Sequence, residues 1–483
     1  MSTPKEKSTQ ALRWNIVDQT LSQGLNLSIN IVLMWYLIDL DFGVVVVPMV
    51  VLGFFRVIQD LGYSNALIHH RDLDQSDLSS VFWFLIFLGF LFTAIMYLMA
   101  PVVSWWTENE YSGDAVRQLS PVIAVTSLYW ISESLLIKRL QFKKIFMANL
   151  IAISVSGIIA IYLAAHGWAY HSLVIKALVH VVLVCAGYFI LSGWWPSFKY
   201  DRGSVQKLGS YSFPLAIEQG LSELAKNFDS IIISRFLGSA SVGLYDRAYK
   251  LVTYPVRQFS AGYNKVLFPI LSDIQDERMR QSEIYLRLLE MVGFLVFPAS
   301  ISLFIFAEPL TFFILGSGWS GIIPMIKIFS ILGLVMSMSA VGNSVFLATG
   351  ETKLQMKITV FTRILLMVAI LVSCLWFRKV EIVALVYTAV MCLSLFIEWN
   401  FLEKILHFNF EKIWNALKPS MMSSVLVAAI FYFTLKMWNE DVTRVVLLIS
   451  LMLAYFVLYF VFLKLGNRIF FTQNVTLLKK FIQ

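Results

Sequence analysis

NFDSIIISRFLGSASVGLYDRAYKL, Asn227–Leu251, sets Asp229, Arg235, Asp246, Arg247 and Lys250 within a few helical turns of one another. The rest of the chain makes that placement costly. Of its 483 residues, 58% are hydrophobic and 14% charged, where a soluble domain carries roughly a quarter charged. Mean hydropathy is +0.74. These values describe a polytopic membrane protein, whose unit is the span of about 20 apolar residues that crosses a bilayer as a helix. Runs such as VFWFLIFLGFLFTAIMYLMA, 81–100, show no apolar–polar alternation, so a membrane β-barrel is excluded.

Apolar runs between polar or Gly/Pro breaks predict an all-α chain of fourteen spans: 14–36, 44–65, 79–103, 116–137, 145–165, 170–192, 212–236, 243–266, 283–307, 323–348, 358–377, 381–402, 418–436 and 443–464. With the N-terminus in the cytoplasm, inside segments hold 22 basic residues and outside segments 6. That is the asymmetry a correct orientation produces. The polar first thirteen residues do not resemble a cleaved leader and are expected to stay as a cytoplasmic tail, with the C-terminus on the same side. Gln23-Gly24-Leu25 and Gln219-Gly220-Leu221 form a faint internal echo, each followed by a glycine, Gly43 or Gly243, that opens the next span. It suits two six-helix lobes around a hydrated central cavity: 1–210 and 211–416, with 417–483 as two appended helices and a tail. No loop is long enough for a soluble catalytic domain.

A charge at the bilayer centre costs at least about 2.5–3.5 kcal/mol, so these charges are expected to face protein or water. Helical spacing sorts them into stripes. Arg247, Lys250, Tyr254 and Arg257 share one face of span eight, continued by Asn264. Glu218, Ser222, Lys226 and Asp229 share one face of span seven, and Asn15, Gln19, Gln23, Asn26 and Asn30 one face of span one, beside Asp18. Span two adds Arg56 and Asp60, span four Glu133, span six Lys176, span ten Lys327 and span eleven Arg363. The plainer alternatives stay open: Arg247 and Lys265 near span ends can snorkel, Arg56–Asp60 can be an i,i+4 structural pair, and Lys176 can serve only Glu133. Taken together, Arg forks, Lys point charges, amides and an aromatic ring suit an anionic, sugar-bearing cargo.

Other motifs carry little. Gly316–Gly321 reads GxGxxG but sits in an outside loop with no strand before it. Asp39-Leu40-Asp41 resembles a metal-binding acidic pair without the outer domain such chemistry needs, and His69-His70 has no companion ligand. Cys185, Cys374 and Cys392 lie inside spans with no pairing or ligand spacing. No phosphate-binding GxxxxGK[ST] occurs, and nothing points to nucleic acid, a metal or another bound cofactor.

FDSIIISRFLGSASVGLYDRAYKLVTYPVRQFSAGYNKVLFPILSDIQDE, 228–277, resembles bacterial polysaccharide flippases of the multidrug/oligosaccharidyl-lipid/polysaccharide exporter superfamily, the colanic-acid and lipopolysaccharide exporters above all. Asp229, Leu237-Gly238, Gly243, Tyr245, Ala248-Tyr249, Leu251, Pro255 and Phe268-Pro269 stand in the family's places. So do Leu315-Gly316 with Trp319 and Pro324, Asp41-Phe42-Gly43, and the segment Asp60–Ile68. Asp39 departs from the pattern, which has a basic residue near the end of span one. The resemblance covers roughly 14–400. It implies a non-enzymatic transporter of the bacterial inner membrane that moves undecaprenyl-diphosphate-linked oligosaccharide by alternating access. A polysaccharide polymerase and a chain-length regulator are implied partners besides the membrane lipids. On that reading Arg56, Lys226, Lys250, Tyr254, Arg257, Lys327 and Arg363 would meet the anionic head group and its sugars, with Gln23, Asn26 and Asn30 supplying amides. Asp60, Glu218 and Asp229 would couple a proton, a sodium ion or the membrane potential, or gate by salt bridges. The rival readings are a small-molecule or drug antiporter of the same superfamily, a membrane enzyme, and an assembly scaffold.

Overall fold

A bilayer offers the backbone no hydrogen-bond partner, so each apolar run must close its bonds internally as a helix. In the computed structural model that demand is met throughout residues 4–69, 73–274, 277–437 and 445–482, which the structure describes. The side chains of 4–9, 12, 65, 69, 207–217, 255, 257–270, 272, 434–437, 445–447 and 477–482 fall outside the description. Among the described residues there is no strand.

The helices are α1 Pro4–Met34, α2 Asp39–Asp60, α3 Tyr63–His69, α4 Gln75–Leu98, α5 Ala100–Thr107, α6 Glu110–Leu119, α7 Pro121–Lys138, α8 Phe142–Ala165, α9 His171–Ser192, α10 Arg202–Lys226, α11 Phe228–Asp273, α12 Arg278–Ile305, α13 Ala307–Ile314, α14 Ile323–Ala348, α15 Thr352–Trp376, α16 Val380–Leu406, α17 Phe410–Met437, α18 Val445–Gly466 and α19 Arg468–Ile482. Among the described residues, eleven are long and apolar enough to cross a membrane. They coincide with eleven of the expected spans. The other three, 14–36, 212–236 and 243–266, are helical too, but they carry the polar stripes and are too polar to join that set.

Two compact units are present, Met1–Asp246 and Arg247–Gln483. In the first, α8 packs on α1 and α9, α7 on α4 and α9, and α2 on α6 and α10. α10 packs on α2, α3 and α4 inside the first unit. In the second unit α12 packs on α14 and α17, and α16 on α14 and α15. Its largest core gathers Tyr285, Leu289, Val292, Val341, Phe346 and Leu402. A smaller core joins Phe294 and Phe306 to Tyr455 and Tyr459 of α18. α19 docks on α18 and α12, with Phe470 buried.

Within α11 the chain breaks at Gly238, φ 83° and ψ 171°, separating 228–237 from 239–273. Gly316 repeats the geometry at φ 88° and ψ 172°. Only glycine enters that region without strain, which gives both Leu-Gly pairs of the sequence a backbone reason. Arg235 fixes the arm before the break. Its Nη1 lies 2.8 Å from Glu108 Oε1 and donates to the carbonyls of Trp105 and Trp106 at 3.0 and 3.3 Å. A guanidinium thus closes the C-terminal end of α5, whose last carbonyls lack helical partners. Arg235→Ala should cost about 1–2 kcal/mol and lower the thermal unfolding midpoint in detergent, while Arg235→Lys recovers part of the loss. An unchanged midpoint in the alanine variant would show that the cap contributes nothing.

Candidate functional site

Asp229 lies at the start of the arm that precedes that break and is 7% exposed. It accepts from Tyr245 Oη at 2.8 Å and from the Ser230 amide at 2.8 Å. The bond to Tyr245 ties 228–237 to the arm beyond Gly238, so two residues of the sequence motif hold its corner together. Tyr245→Phe should therefore lower the melting midpoint by about 1–2 kcal/mol of stability and leave cargo affinity unchanged. A cargo-affinity change without a stability change would assign the pair to binding instead. The acidic Asp39-Leu40-Asp41 closes the start of α2: the Ile38 amide donates to Asp41 Oδ2 at 3.1 Å and the Leu40 amide to Asp39 Oδ1 at 2.8 Å. That accounts for the pair without a metal.

A cluster of charge forms inside the first unit, where α2, α7 and α9 meet. Arg56 Nη2 donates to Tyr129 Oη at 3.3 Å. The Arg56 field acts on Glu133 of α7 and on His180 of α9, and Lys176 acts on His180 as well. Asp60, one turn beyond Arg56, does not pair with it. Asp60 accepts from Ser64 through the hydroxyl at 2.7 Å and the amide at 3.1 Å, a cap on α3 in place of the i,i+4 pair that spacing left open. Tyr129 meets Tyr188 edge-on, with ring centroids 5.5 Å apart. Tyr188 Oη donates to Asn149 Oδ1 at 3.0 Å, and Asn149 Nδ2 donates to Asp18 Oδ2 at 3.3 Å. Asp18 also accepts from Ser22 at 2.8 Å. One chain of contacts thus runs from Arg56 across α7, α9 and α8 to α1, hydrogen-bonded at every step but the Tyr129–Tyr188 ring pair. On α1 itself, Asn30 Nδ2 is used by the Asn26 carbonyl at 2.8 Å, Asn26 is half-buried and Gln23 is exposed.

The other basic candidates separate. Lys226 is exposed and lies 3.7 Å from Glu223. Glu218, about two turns before Lys226, is exposed as well. Both sit on α10, which meets α2 where Gly220 approaches Ile58 and Phe54. Lys250 and Tyr254 are half-buried on α11. The Arg257 and Asn264 side chains lie outside the described residues. Lys327 of α14 and Arg363 of α15 are half-buried in the second unit, and among the described residues neither makes an ion pair. The second unit also holds an apolar groove of about 400 Å³ between α12, α14 and α17, lined by Phe304, Ile331, Tyr432 and Phe433 among others. It offers hydrocarbon contacts and no charge.

Sequence reasoning missed Tyr129, Asn149, His180, Tyr188 and Glu398. Two of them had a signal: Tyr129 with Glu133 and Lys176 with His180 are each spaced i,i+4, the spacing that puts side chains on one helix face.

Charged and hydrogen-bonding side chains gathered on helices that otherwise suit lipid define a multi-pass membrane protein with a functional site inside its spans. Its likeness to solved structures is extensive. "Lipid II flippase MurJ, inward closed conformation" superimposes with TM-score 0.73 over 95% of this chain and 99% of that one, at 14% identity. An inward-facing multidrug resistance MATE family transporter of the MOP superfamily gives TM-score 0.59 over 80% and 94%, at 13% identity. Residues 33–324 match the family model described as polysaccharide biosynthesis protein, and the chain belongs to that family. Among its relatives are the lipopolysaccharide biosynthesis protein WzxC of Escherichia coli, strain K12, 24% identical over 76% of this chain and 75% of the relative, and the succinoglycan biosynthesis transport protein ExoT of Rhizobium meliloti, strain 1021, 23% identical over 67% and 65%.

Proposed function

We propose that this protein is a flippase. It carries an undecaprenyl-diphosphate-linked oligosaccharide repeat unit from the inner to the outer leaflet of a bacterial inner membrane, with both termini in the cytoplasm, and so supplies surface polysaccharide synthesis. It works by alternating exposure of an intramembrane site and makes no covalent change to its cargo. The observation that carries the reading is the family match over 33–324, whose relatives include proteins named for polysaccharide synthesis and transport. Physical chemistry supports it. A diphosphate entering a region of low dielectric needs a fixed cation, and Arg56 is a planar fork held in place by Tyr129 among amides and phenols that suit sugars. Once across, the cargo would pass to a polymerase and chain-length regulator. An ion gradient or the membrane potential supplies the driving force.

The test uses purified protein in liposomes carrying a fluorescent polyprenyl-diphosphate oligosaccharide on one leaflet and a membrane-impermeant quencher. Protein-dependent exposure of the label is the expected result. No exposure with several glycans and gradients of either sign, together with protein-dependent efflux of a cationic dye, would transfer the assignment to a small-molecule antiporter.

A further inference from the structure

Glu398 stands apart from everything used so far. It sits within α16 in the second unit, 8% exposed, between α14 and α15. Its Oε2 accepts from Ser339 Oγ of α14 at 2.8 Å, and its Oε1 accepts from Ser394 Oγ of its own helix at 3.4 Å. Ser394 Oγ lies 3.1 Å from Thr362 Oγ1 of α15, a bond that either oxygen can donate. Glycine at 342 leaves room beside the carboxylate: a Cβ there would stand 3.8 Å from Glu398 Oε2 and 3.1 Å from Leu402.

Among the described residues Glu398 makes no ion pair. The titratable group that faces it is Tyr285 of α12, a fully buried phenol beside the Trp399 indole. Lys327 on α14 lies twelve residues before Ser339, and Arg363 follows Thr362 on α15; Lys353 and Lys357 on α15, Arg278, Arg280, Glu283, Arg287 and Glu290 on α12, and Glu411, Lys412 and Lys418 on α17 are the other described charged residues of these neighbours, and none pairs with Glu398. A permanently ionised carboxylate in such surroundings is expected to have a cation or fixed N–H donors. Hydroxyl partners are different, because each can donate or accept.

We propose that Glu398 is an exchangeable proton site of the second unit. As a carboxylate it accepts from Ser339 and Ser394, and Thr362 donates to Ser394. On taking a proton from water at Oε1 it becomes a neutral acid that donates to Ser394 Oγ. The Ser394 hydroxyl then turns and donates to Thr362. Both charge states are hydrogen-bonded with the same heavy-atom positions, so the site binds and releases a proton without repacking. This rests on the flippase reading only for its use as the coupling step; the proton site itself stands without it.

The decisive measurement is infrared difference spectroscopy of the purified full-length protein in detergent, titrated from about pH 5 to about pH 9 with and without sodium. A protonated-carboxyl band that disappears as pH rises, is indifferent to sodium and is missing in Glu398→Gln is expected. Ser339→Ala should shift the same band, which keeps the assignment testable if Glu398→Gln does not insert. A Glu398 band that never titrates, no band at any pH, or one abolished by sodium at constant pH would overturn the proposal, the last in favour of a cation site. In liposomes, Glu398→Gln should make the flipping rate independent of pH. If the band titrates while no lipid-linked oligosaccharide moves, the flippase reading fails and the proton site survives.

Discussion

Liposomes containing Arg56→Gln should flip lipid-linked oligosaccharide about 10- to 100-fold more slowly than wild type, with the protein inserted and folded. The magnitude follows from losing a charge-assisted hydrogen bond to a phosphate, about 1.5–3 kcal/mol, at 1.4 kcal/mol per tenfold. Arg56→Lys keeps the charge and loses the fork, so it should fall between the two. A purely structural role predicts something else. Arg56 faces Glu133 through its field, and the alternative is that it only balances that carboxylate. The double variant Arg56→Gln/Glu133→Gln separates the cases, because it removes both members of the supposed balance. Full recovery of flipping in the double variant would assign Arg56 to charge balance. Continued loss assigns it to the cargo. Ethidium efflux measured in the same vesicles should be unchanged by all three substitutions.

The helices themselves were legible, since hydropathy and the inside–outside charge bias depend on solvent and not on partners. The stripes were legible as faces, because 3.6 residues per turn is a local property. What each face meets was not. Asp229 and Asp60 read as carboxylates for ion coupling or salt-bridge gating; that each accepts from a hydroxyl nearby in sequence, Tyr245 and Ser64, was not legible. Arg235 stood out only as one of the charges within Asn227–Leu251, and its partners Glu108, Trp105 and Trp106 lie more than a hundred residues away. Glu398 drew no notice, since a single carboxylate late in an apolar run carries no periodic signal, and its meaning comes from hydroxyls on two other helices. The chain of contacts from Arg56 to Asp18 was hidden for the same reason. It is made by contacts among α2, α7, α9, α8 and α1, and spacing along one helix cannot report contacts among five.

The glycines of the internal echo show how alike sequence can sit in unlike surroundings, and they set up the largest stability effect expected of this chain. Gly24 has nothing within 4 Å of where its Cβ would stand, whereas Gly220 is met by Ile58 at 3.0 Å. Gly43 and Gly243, the glycines that follow, touch one another's helices. A Cβ on Gly43 would run into the Ser239 carbonyl, and one on Gly243 into the Asp39 carbonyl, with the Gly43 nitrogen only 2.9 Å away. Backbone meets backbone there, as in helix pairs whose close approach depends on small residues. A side chain has no rotamer by which to yield, so Gly43→Val or Gly243→Val should exceed the about 1–3 kcal/mol of ordinary overpacking and abolish the monodisperse folded peak on size exclusion. Because both substitutions wedge the same crossing, the double variant should be little worse than the worse single one. Gly24→Ala is the control: with open space and a helical backbone it should stabilise by about 0.5–1 kcal/mol. If Gly43→Val and Gly243→Val melt with wild type while Gly24→Ala behaves as stated, the start of α2 and the arm of α11 beyond Gly238 do not cross in contact, and Gly243 is set by something other than that crossing.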